Sequence, residues 1–289
     1  MYQLRLGLFG VLALTISSPL FAADMPFKAP MAVPVAASGW NGWYVGGQLG
    51  FKSVTDDWTT NCVQGGGLAT CGNALNAIQF PGAPDSSASN RFTTSNFRYG
   101  FYAGAMSQVL TTWVVGIEGD VGFYNKSSTV GGLLGCSTLA CANNAGLGPP
   151  LDTLALVNDS TGIKNTYDYS LRLRAGYLVT PDILVYGTGG LAFQRVEATM
   201  TCNGNTSPAC LFSHSQTNST TLPGYTVGGG LEWKLMQNWL IRGEYRYSDY
   251  GTYKPNFFVG SGDVEVFSHV KVTSQIATFG IAYMFPISR

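Results

Sequence analysis

The chain has 289 residues, a formal net charge of zero and 11% charged side chains. Soluble domains carry about 25% charged residues, so this composition argues against an ordinary soluble domain. The neutral balance and the pI near 6.7 also exclude the basic surface typical of a nucleic-acid-binding protein.

Residues 1–22 predict a cleaved secretory signal peptide. Arg5 is the only charge in the first segment, an apolar run covers 6–16, and Ala22 and Ala23 supply the small residues of a cleavage site. The apolar run is well short of the roughly 20 residues that a spanning helix needs. No later apolar run is long enough either, and an exported chain without such a helix can cross a membrane only as a closed barrel.

Residues 23–39 are rich in proline and alanine and show no periodicity. Pro26, Pro30 and Pro34 favour an extended segment, which we expect to lie in the periplasm. The alternative, in which this segment enters the mouth of the barrel, stays open. Residues 40–289 are the expected barrel domain.

The clearest strand pattern is a hairpin over 167–193. Its first arm places apolar residues at odd positions from Tyr167 to Val179 and polar or small residues at even positions, which predicts a β-strand with two distinct faces. Both arms reach the roughly 9–11 residues with which a tilted strand crosses a bilayer. Aromatic residues bracket the apolar face at both ends, so we expect this face to contact lipid and the polar face to line the lumen.

Eight segments share this alternation, and an even strand number suits a membrane barrel. The expected strands are 43–52, 97–108, 113–124, 167–179, 183–194, 224–235, 239–250 and 270–285. Short connections near Thr111, Pro181 and Gln237 alternate with long ones at about 54–96, 126–165, 200–219 and 252–265. The pattern predicts an all-β fold, an eight-stranded antiparallel transmembrane β-barrel with four long extracellular loops and short periplasmic turns. A lipocalin-like soluble barrel would reverse the polarity of the faces.

Two aromatic belts support this orientation. The belt at the short-turn end comprises Trp40, Trp43, Trp113, Tyr177, Trp233, Trp239, Tyr283 and Phe285. The belt at the long-loop end comprises Phe51, Phe97, Phe123, Tyr167, Phe193 and Tyr247. Aromatic residues concentrate at both membrane interfaces of such barrels.

Three segments resemble the outer-membrane immunogenic proteins of alphaproteobacteria, small barrels related to the OmpA transmembrane domain and the Opa-like adhesins. They are the leader with Asp24-Met-Pro-Phe-Lys-Ala-Pro30, the opening Trp40-Asn-Gly-Trp-Tyr-Val-Gly-Gly47, and the terminal Phe279-Gly-Ile-Ala-Tyr-Met-Phe285. The last is similar to the signal that such barrels present to the assembly machinery, although here Pro286-Ile-Ser-Arg289 follows it. The resemblance implies an abundant surface protein, and it adds porin-like conduction and haem binding as alternatives.

Charged residues fall on the inward faces of the expected strands. The cations are Arg98, Arg172, Arg174, Lys234, Arg242 and Arg246, and the anions are Glu118, Asp120, Asp168, Glu232 and Glu244. An eight-stranded interior has room only for side chains, so we expect a salt-bridge network that fills the lumen. A gated ion path is the functional alternative.

The two histidines offer a weak case for chemistry. His214 stands between Ser213 and Ser215 in the third long loop, and His269 follows Ser268 near the loop end of the last strand. A catalytic triad requires mutual geometry that spacing cannot establish, so we expect no catalytic residue and no enzyme activity. His214 remains the weak candidate for haem ligation, and this hypothesis rests mainly on the family resemblance.

The six cysteines form three close pairs, one in each of three long loops and none in an expected strand. The pairs are Cys62 and Cys71, Cys136 and Cys141, and Cys202 and Cys210. Their spacings match no zinc pattern, so no metal site is expected. Six cysteines allow 15 connectivities, but shared loops and an oxidising compartment favour three local disulfides.

Together these features predict a structural and surface-interaction protein of the Gram-negative outer membrane, with an antigen-like or adhesin-like role. Its expected partners are outer-membrane lipid and lipopolysaccharide, the barrel-assembly machinery during insertion, and a host or environmental surface ligand. No cofactor and no nucleic acid are expected. A small-solute porin and haem or small-ligand binding at the extracellular loops are the alternatives.

Overall fold

A computed structural model of the chain describes residues 39–65, 68–69, 89–131, 160–202, 213–260 and 265–287. These residues form ten strands: β1 (Gly42–Gly65), β2 (Leu68–Ala69), β3 (Ser89–Gln108), β4 (Trp113–Gly131), β5 (Ser160–Thr180), β6 (Ile183–Cys202), β7 (His214–Lys234), β8 (Trp239–Tyr253), β9 (Asn256–Phe257) and β10 (Glu265–Pro286). Strands β2 and β9 are two-residue pieces, and the other eight are long. The described residues contain no helix with the length and hydropathy to cross a bilayer.

The eight long strands close into one antiparallel ring. Each pairs with the next along the chain, and β10 returns to pair with β1 from Gly42↔Pro286 to Gln64↔Glu265. The connections 109–112, 181–182 and 235–238 lie at one end of the ring, and the strand ends that flank the long connections lie at the other. The predicted eight-stranded barrel is confirmed, and short turns of this kind face the periplasm.

The strands are longer than the sequence pattern predicted. The first was expected to end at residue 52 but continues to Gly65, and β5 begins at Ser160 instead of 167. The predicted strands end where the outward face stops being apolar, whereas the backbone hydrogen-bond ladders of the structure continue beyond that point. The backbones of Cys62 and Cys202 therefore lie in β1 and β6, not in loops as expected.

The lipid-facing band has the expected position. Leu173 is 68% exposed on the outer face of β5, and Tyr167 and Tyr177 mark the two ends of its apolar stretch. These ends are ten residues apart, about 33 Å along the strand, which at a tilt near 40° gives the roughly 25 Å of an outer-membrane apolar band. Aromatic pairs strengthen both belts, such as Trp113–Tyr177 at 5.6 Å and Tyr169–Phe193 at 4.7 Å between ring centroids.

Trp40 does not belong to the periplasmic belt, contrary to expectation. Its side chain is only 1% exposed, and its Nε1 donates a hydrogen bond of 2.9 Å to the carbonyl oxygen of Pro181. Trp40 precedes the first strand, so it can turn into the barrel mouth and bury its ring there instead of facing lipid. Gly39 and Trp40 thus place the beginning of the described chain against the periplasmic end of the lumen.

The inward and outward faces of the strands exchange polarity beyond the aromatic belt at the long-loop end. In β1 the outward residues change from Phe51 to Ser53 and Thr55, while the inward residues become Val54 and Trp58. Because every second residue keeps its side, the strand continues unbroken while the surrounding solvent changes from lipid to water. The outer part of the barrel therefore follows the rule of a soluble β-protein, with an apolar interior and a polar exterior.

The ring also separates into two sheets in this outer part. The β3–β4 ladder ends at Tyr99↔Phe123, and the β7–β8 ladder ends at Tyr225↔Asp249, although all four strands continue outward. One sheet contains β4, β5, β6 and β7, and the other contains β3, β1, β10 and the end of β8 with β2 and β9. We call this part of the molecule the outer sandwich.

Candidate functional site

The middle of the lumen holds a connected network of charged side chains. Its cations are Lys52, Arg98, Arg172, Arg174, Arg242 and Arg246, and its carboxylates are Glu118, Asp120, Asp168, Glu232 and Glu244. The predicted inward face is confirmed for every member expected there. Lys52 was missed, although it shares the even, inward positions of β1 with Tyr44 and Gln48.

Glu118 is the centre of the periplasmic half of this network. Its Oε2 accepts hydrogen bonds from Arg242 Nη1 at 2.5 Å, Arg174 Nη1 at 3.1 Å and the Tyr44 hydroxyl at 2.7 Å. Its Oε1 accepts one from Arg172. Three arginines from two sides of the barrel thus share one carboxylate, which is itself 1% exposed.

Asp120 and Asp168 organise the outer half of the network. Arg246 donates to both oxygens of Asp120, at 2.8 Å and 2.9 Å, and Arg98 Nη2 donates to Oδ2 of Asp120 at 2.8 Å. Arg98 also bonds Asp168 through Nη2 at 2.6 Å, and Lys52 donates to Asp168 at 2.8 Å. Charges removed from water are costly unless they are paired, and this pairing satisfies that condition.

Glycines on the inner face give the long side chains room to lie across the lumen. A methyl group at Gly122 would overlap the guanidinium of Arg98, and one at Gly104 would overlap the hydroxyl end of Tyr44. Because glycine has no side chain, each of these positions leaves space that a large side chain from a neighbouring strand occupies. The interior is therefore filled by side chains, as expected for eight strands.

An aromatic layer closes the periplasmic end below the network. Trp40, Tyr44, Tyr102, Tyr186 and Met284 are buried there in one cluster with further aliphatic residues. Lys234 faces inward at this end, as expected; its Nζ lies 4.6 Å from the Trp40 ring centroid and donates to the carbonyl oxygen of Gly39 at 3.4 Å. This cation–π contact attaches the beginning of the described chain to β7.

A second apolar layer lies above the network, inside the outer sandwich. Trp58 is fully buried, and its ring stacks on that of Phe257 at 5.9 Å with an interplanar angle of 19°. Phe257 and Phe258, from the last long connection, reach into the interior from above. Phe258 has φ of 62°, an unusual backbone conformation for a bulky residue, and its N–H donates to Gln216 Oε1 at 2.5 Å. The lumen is thus covered by apolar residues at both ends.

Asp56 is a carboxylate in this outer apolar region, beyond the lipid-facing Phe51. Its Oδ2 accepts a hydrogen bond of 3.1 Å from Asn165 Nδ2, which joins the two sheets of the sandwich. Burial is the largest influence and raises the pKa of Asp56 to about 7, against the lowering effects of the Asn165 bond and the charge of Lys52. This carboxyl group therefore changes protonation near neutral pH.

The histidines lie at separate places on the outer sandwich. His214 begins β7, and its ring contacts Phe258 edge-on with centroids 4.3 Å apart. His269 lies in β10 and pairs with Thr59 in the ladder. No group of three metal-binding side chains occurs among the residues that the structure describes. Haem ligation by His214 stays a prediction.

The three proposed disulfides also stay predictions. The backbones of Cys62 and Cys202 lie in described strands, but the side chains needed to judge the pairs do not belong to the described part of the chain. The remaining cysteines lie outside the described residues: Cys71, Cys136, Cys141 and Cys210.

Comparison with known proteins agrees with this architecture. Residues 26–285 match the family model described as outer membrane protein beta-barrel domain. The chain is 27% identical over 278 residues to the 31 kDa outer-membrane immunogenic protein of Brucella melitensis, covering 95% of this chain and 97% of the relative. It is 41% identical over 93 residues to the 22 kDa outer membrane protein of Rhizobium leguminosarum, covering 32% of this chain and 37% of that protein.

Among solved structures, the outer membrane protein OprG of Pseudomonas aeruginosa is similar, with a TM-score of 0.51 and 15% identity over 86% of this chain and 99% of that one. That likeness concerns the fold alone. The family match and the long alignment with the Brucella protein place this chain in the Gram-negative outer membrane. The chain belongs to the outer membrane protein β-barrel family, and its relatives include the outer-membrane immunogenic proteins of alphaproteobacteria.

Proposed function

We propose that this protein is a non-conducting barrel that holds an outer sandwich at the cell surface for interaction with host or environmental surfaces. The observation that carries the proposal is the filled lumen: a charged network lies between two buried apolar layers. An interior that is filled in this way stabilises a wall and anchors an external structure. The name of the Brucella relatives, outer-membrane immunogenic proteins, supports a surface role.

The same arrangement supports a role without catalysis. The lumen carboxylates are held by arginines, and the apolar layers separate these pairs from bulk water on both sides. A catalytic acid or base needs contact with a substrate and a proton that it can exchange. In this proposal, lipid and lipopolysaccharide surround the band marked by Leu173, and the assembly machinery acts on β10, which carries Phe285 near its end.

The test is an adhesion assay with Gram-negative cells that display the whole chain. A chain truncated before Thr278 serves as the matched control, because it is synthesised but cannot close the barrel. We expect displaying cells to adhere several-fold more strongly to cultured epithelial cells or to glass. Equal adhesion of both strains to every surface tested would contradict the surface-interaction role. The porin alternative is decided separately by conductance.

A further inference from the structure

The outer sandwich has a seam between β3 and β4 that no backbone ladder closes in the described part of the chain. Above the pair Tyr99↔Phe123, β3 continues to Ser89 and β4 continues to Gly131, yet no ladder joins them among the described residues. On their other sides the same stretches are paired, β3 with β1 up to Thr59↔Ser89 and β4 with β5 up to Gly131↔Ser160. Among the described residues, each strand therefore presents one backbone edge to this seam that no ladder pairs.

Two β-bulges account for the separation. The β4–β5 register shifts between Phe123 and Lys126, and the β5–β6 register shifts between Asn165 and Asp168. A bulge bends its strand and increases the local twist, so β4 turns away from β3 just above the lipid band. Side chains still bridge the bottom of the seam, where the Tyr124 hydroxyl lies 2.6 Å from Thr94 Oγ1 and Asn96 Nδ2 donates to the carbonyl oxygen of Asn125 at 3.0 Å.

The opposite seam, between β7 and β8, is closed in a different way. There Asn218 Nδ2 donates to the carbonyl oxygen of Asn256 at 2.7 Å, and Gln216 accepts from the N–H of Phe258. The segment around β9 thus fills that side. In the described part of the chain, the upper β3–β4 seam has no comparable segment.

The side chains along the seam define what it can accept. Val130 packs partly buried against the apolar core of the sandwich, while Ser127 and Thr129 are exposed on the outside. Lys126, at the lower end, is exposed and has no ion pair among the described residues. A row of N–H and C=O groups without a ladder partner is a template with which another extended backbone can pair.

We propose that the β3–β4 seam binds an amphipathic β-strand of a partner protein, which pairs antiparallel with Lys126–Gly131. Its apolar side chains would face Val130 and the core, its polar side chains would face water, and an acidic residue at its lower end would meet Lys126. The β4 edge, Lys126–Gly131, is chosen because it is more exposed than the facing edge of β3. Antiparallel pairing is chosen because it is slightly more stable per residue than parallel pairing. The proposal rests on the surface-interaction function and names its partner class.

The test measures amide hydrogen exchange by NMR on the whole chain in lipid nanodiscs. The probe is the acetylated peptide Thr-Val-Thr-Val-Thr-Val-Thr-Asp, and the control is the same peptide N-methylated at alternate residues. We expect every second amide over 126–131 to exchange rapidly in the free protein and at least tenfold more slowly with the probe. The methylated peptide should leave exchange unchanged.

Two chain variants locate the binding. Val130→Asp should weaken peptide binding at least tenfold, because it places a charge against the apolar side of the added strand. Thr199→Asp, which introduces the same charge on the outer face of β6, should leave binding unchanged. A Val130→Asp protein that lost the heat-dependent gel shift of a folded barrel would be replaced by Val130→Thr, for which a smaller loss of affinity is expected.

Several outcomes would overturn the seam assignment. Protection of these amides before the probe is added would show that another part of this chain, or a second copy if protection depends on protein concentration, occupies the edge. Protection only elsewhere on the sandwich would move the site while leaving the surface-interaction function intact. Absence of any protection would remove strand addition. A conducting barrel, in contrast, would refute the proposed function without affecting this result.

Discussion

Replacing Glu118 with glutamine tests whether the charged network holds the barrel together. Arg172 and Arg174 would keep carboxylate partners in Glu244 and Glu232. Arg242 would not, because Glu118 is its only carboxylate partner within salt-bridge distance in the described structure. An unpaired buried charge costs about 3–5 kcal/mol, so we expect Glu118→Gln to lower the free energy of unfolding by that amount.

The matched control is Glu197→Gln on the outer face of β6. Glu197 lies 3.7 Å from Lys164, and the two side chains are 30% and 43% exposed. Solvent-exposed pairs contribute about 0–1 kcal/mol, so this change should have little effect. The double variant Glu118→Gln, Arg242→Met should recover at least about 1 kcal/mol, because it removes the unpaired charge as well.

The assay is reversible unfolding by guanidinium in lipid vesicles, followed by tryptophan fluorescence. A cost for Glu118→Gln below about 1 kcal/mol, or equal to that of Glu197→Gln, would refute the reasoning. It would mean that water reaches Arg242 and that the lumen is more open than the buried network indicates.

Three further predictions concern the wall, the outer sandwich and closure of the ring. Leu173→Arg should lower the free energy of unfolding by about 2–4 kcal/mol in lipid refolding titrations. Thr199→Arg, which lies above the lipid band, should change it by less than about 0.5 kcal/mol. Equal costs would mean that the lipid-facing and lumen-facing sides are misassigned. Burial raises the pKa of Asp56 to about 7, so the folded sandwich binds a proton more tightly than the unfolded chain. The stabilisation contributed by protonated Asp56 is complete below the unfolded pKa near 4 and is lost as pH rises through 7. Amide hydrogen exchange over 54–60 should therefore accelerate with pH by more than the intrinsic rate does. Asp56→Asn should abolish this excess. Removal of the chain from Thr278 onward should prevent the heat-dependent gel shift, because β1 would lose its partner from Gly42 to Gly50; a shift that persisted would contradict the closed ring.

The membrane part of the fold follows from the sequence because lipid requires apolar residues at every second, outward position of each strand. The alternation around Leu173 and the belts near Tyr167 and Tyr177 correctly predicted strand number, facing and the inward position of the charges. The even position of Lys52 carried the same information, but Lys52 lies at the predicted end of β1, where the outward face ceases to be apolar.

The outer sandwich was not predicted, for a physical reason. A strand retains its period when it leaves the membrane, but its apolar residues move to the opposite side, as from Phe51 to Val54. The outward apolar pattern therefore predicts strands that are too short at their extracellular ends. The even apolar series Val196, Ala198 and Met200 was the available signal in β6. The separation of β3 from β4 depends on bulges, which alternation alone does not reveal.

The measurement that tests the central claim most directly is single-channel conductance of the purified monomer in planar bilayers. Water-filled channels of this class have about 16–18 strands, whereas here Glu118 and its arginines meet inside eight. We expect no large, stable conductance and at most small, brief events. Reproducible porin-sized steps that vanish when Arg172 or Arg242 is altered would contradict the sealed lumen and establish transport in its place.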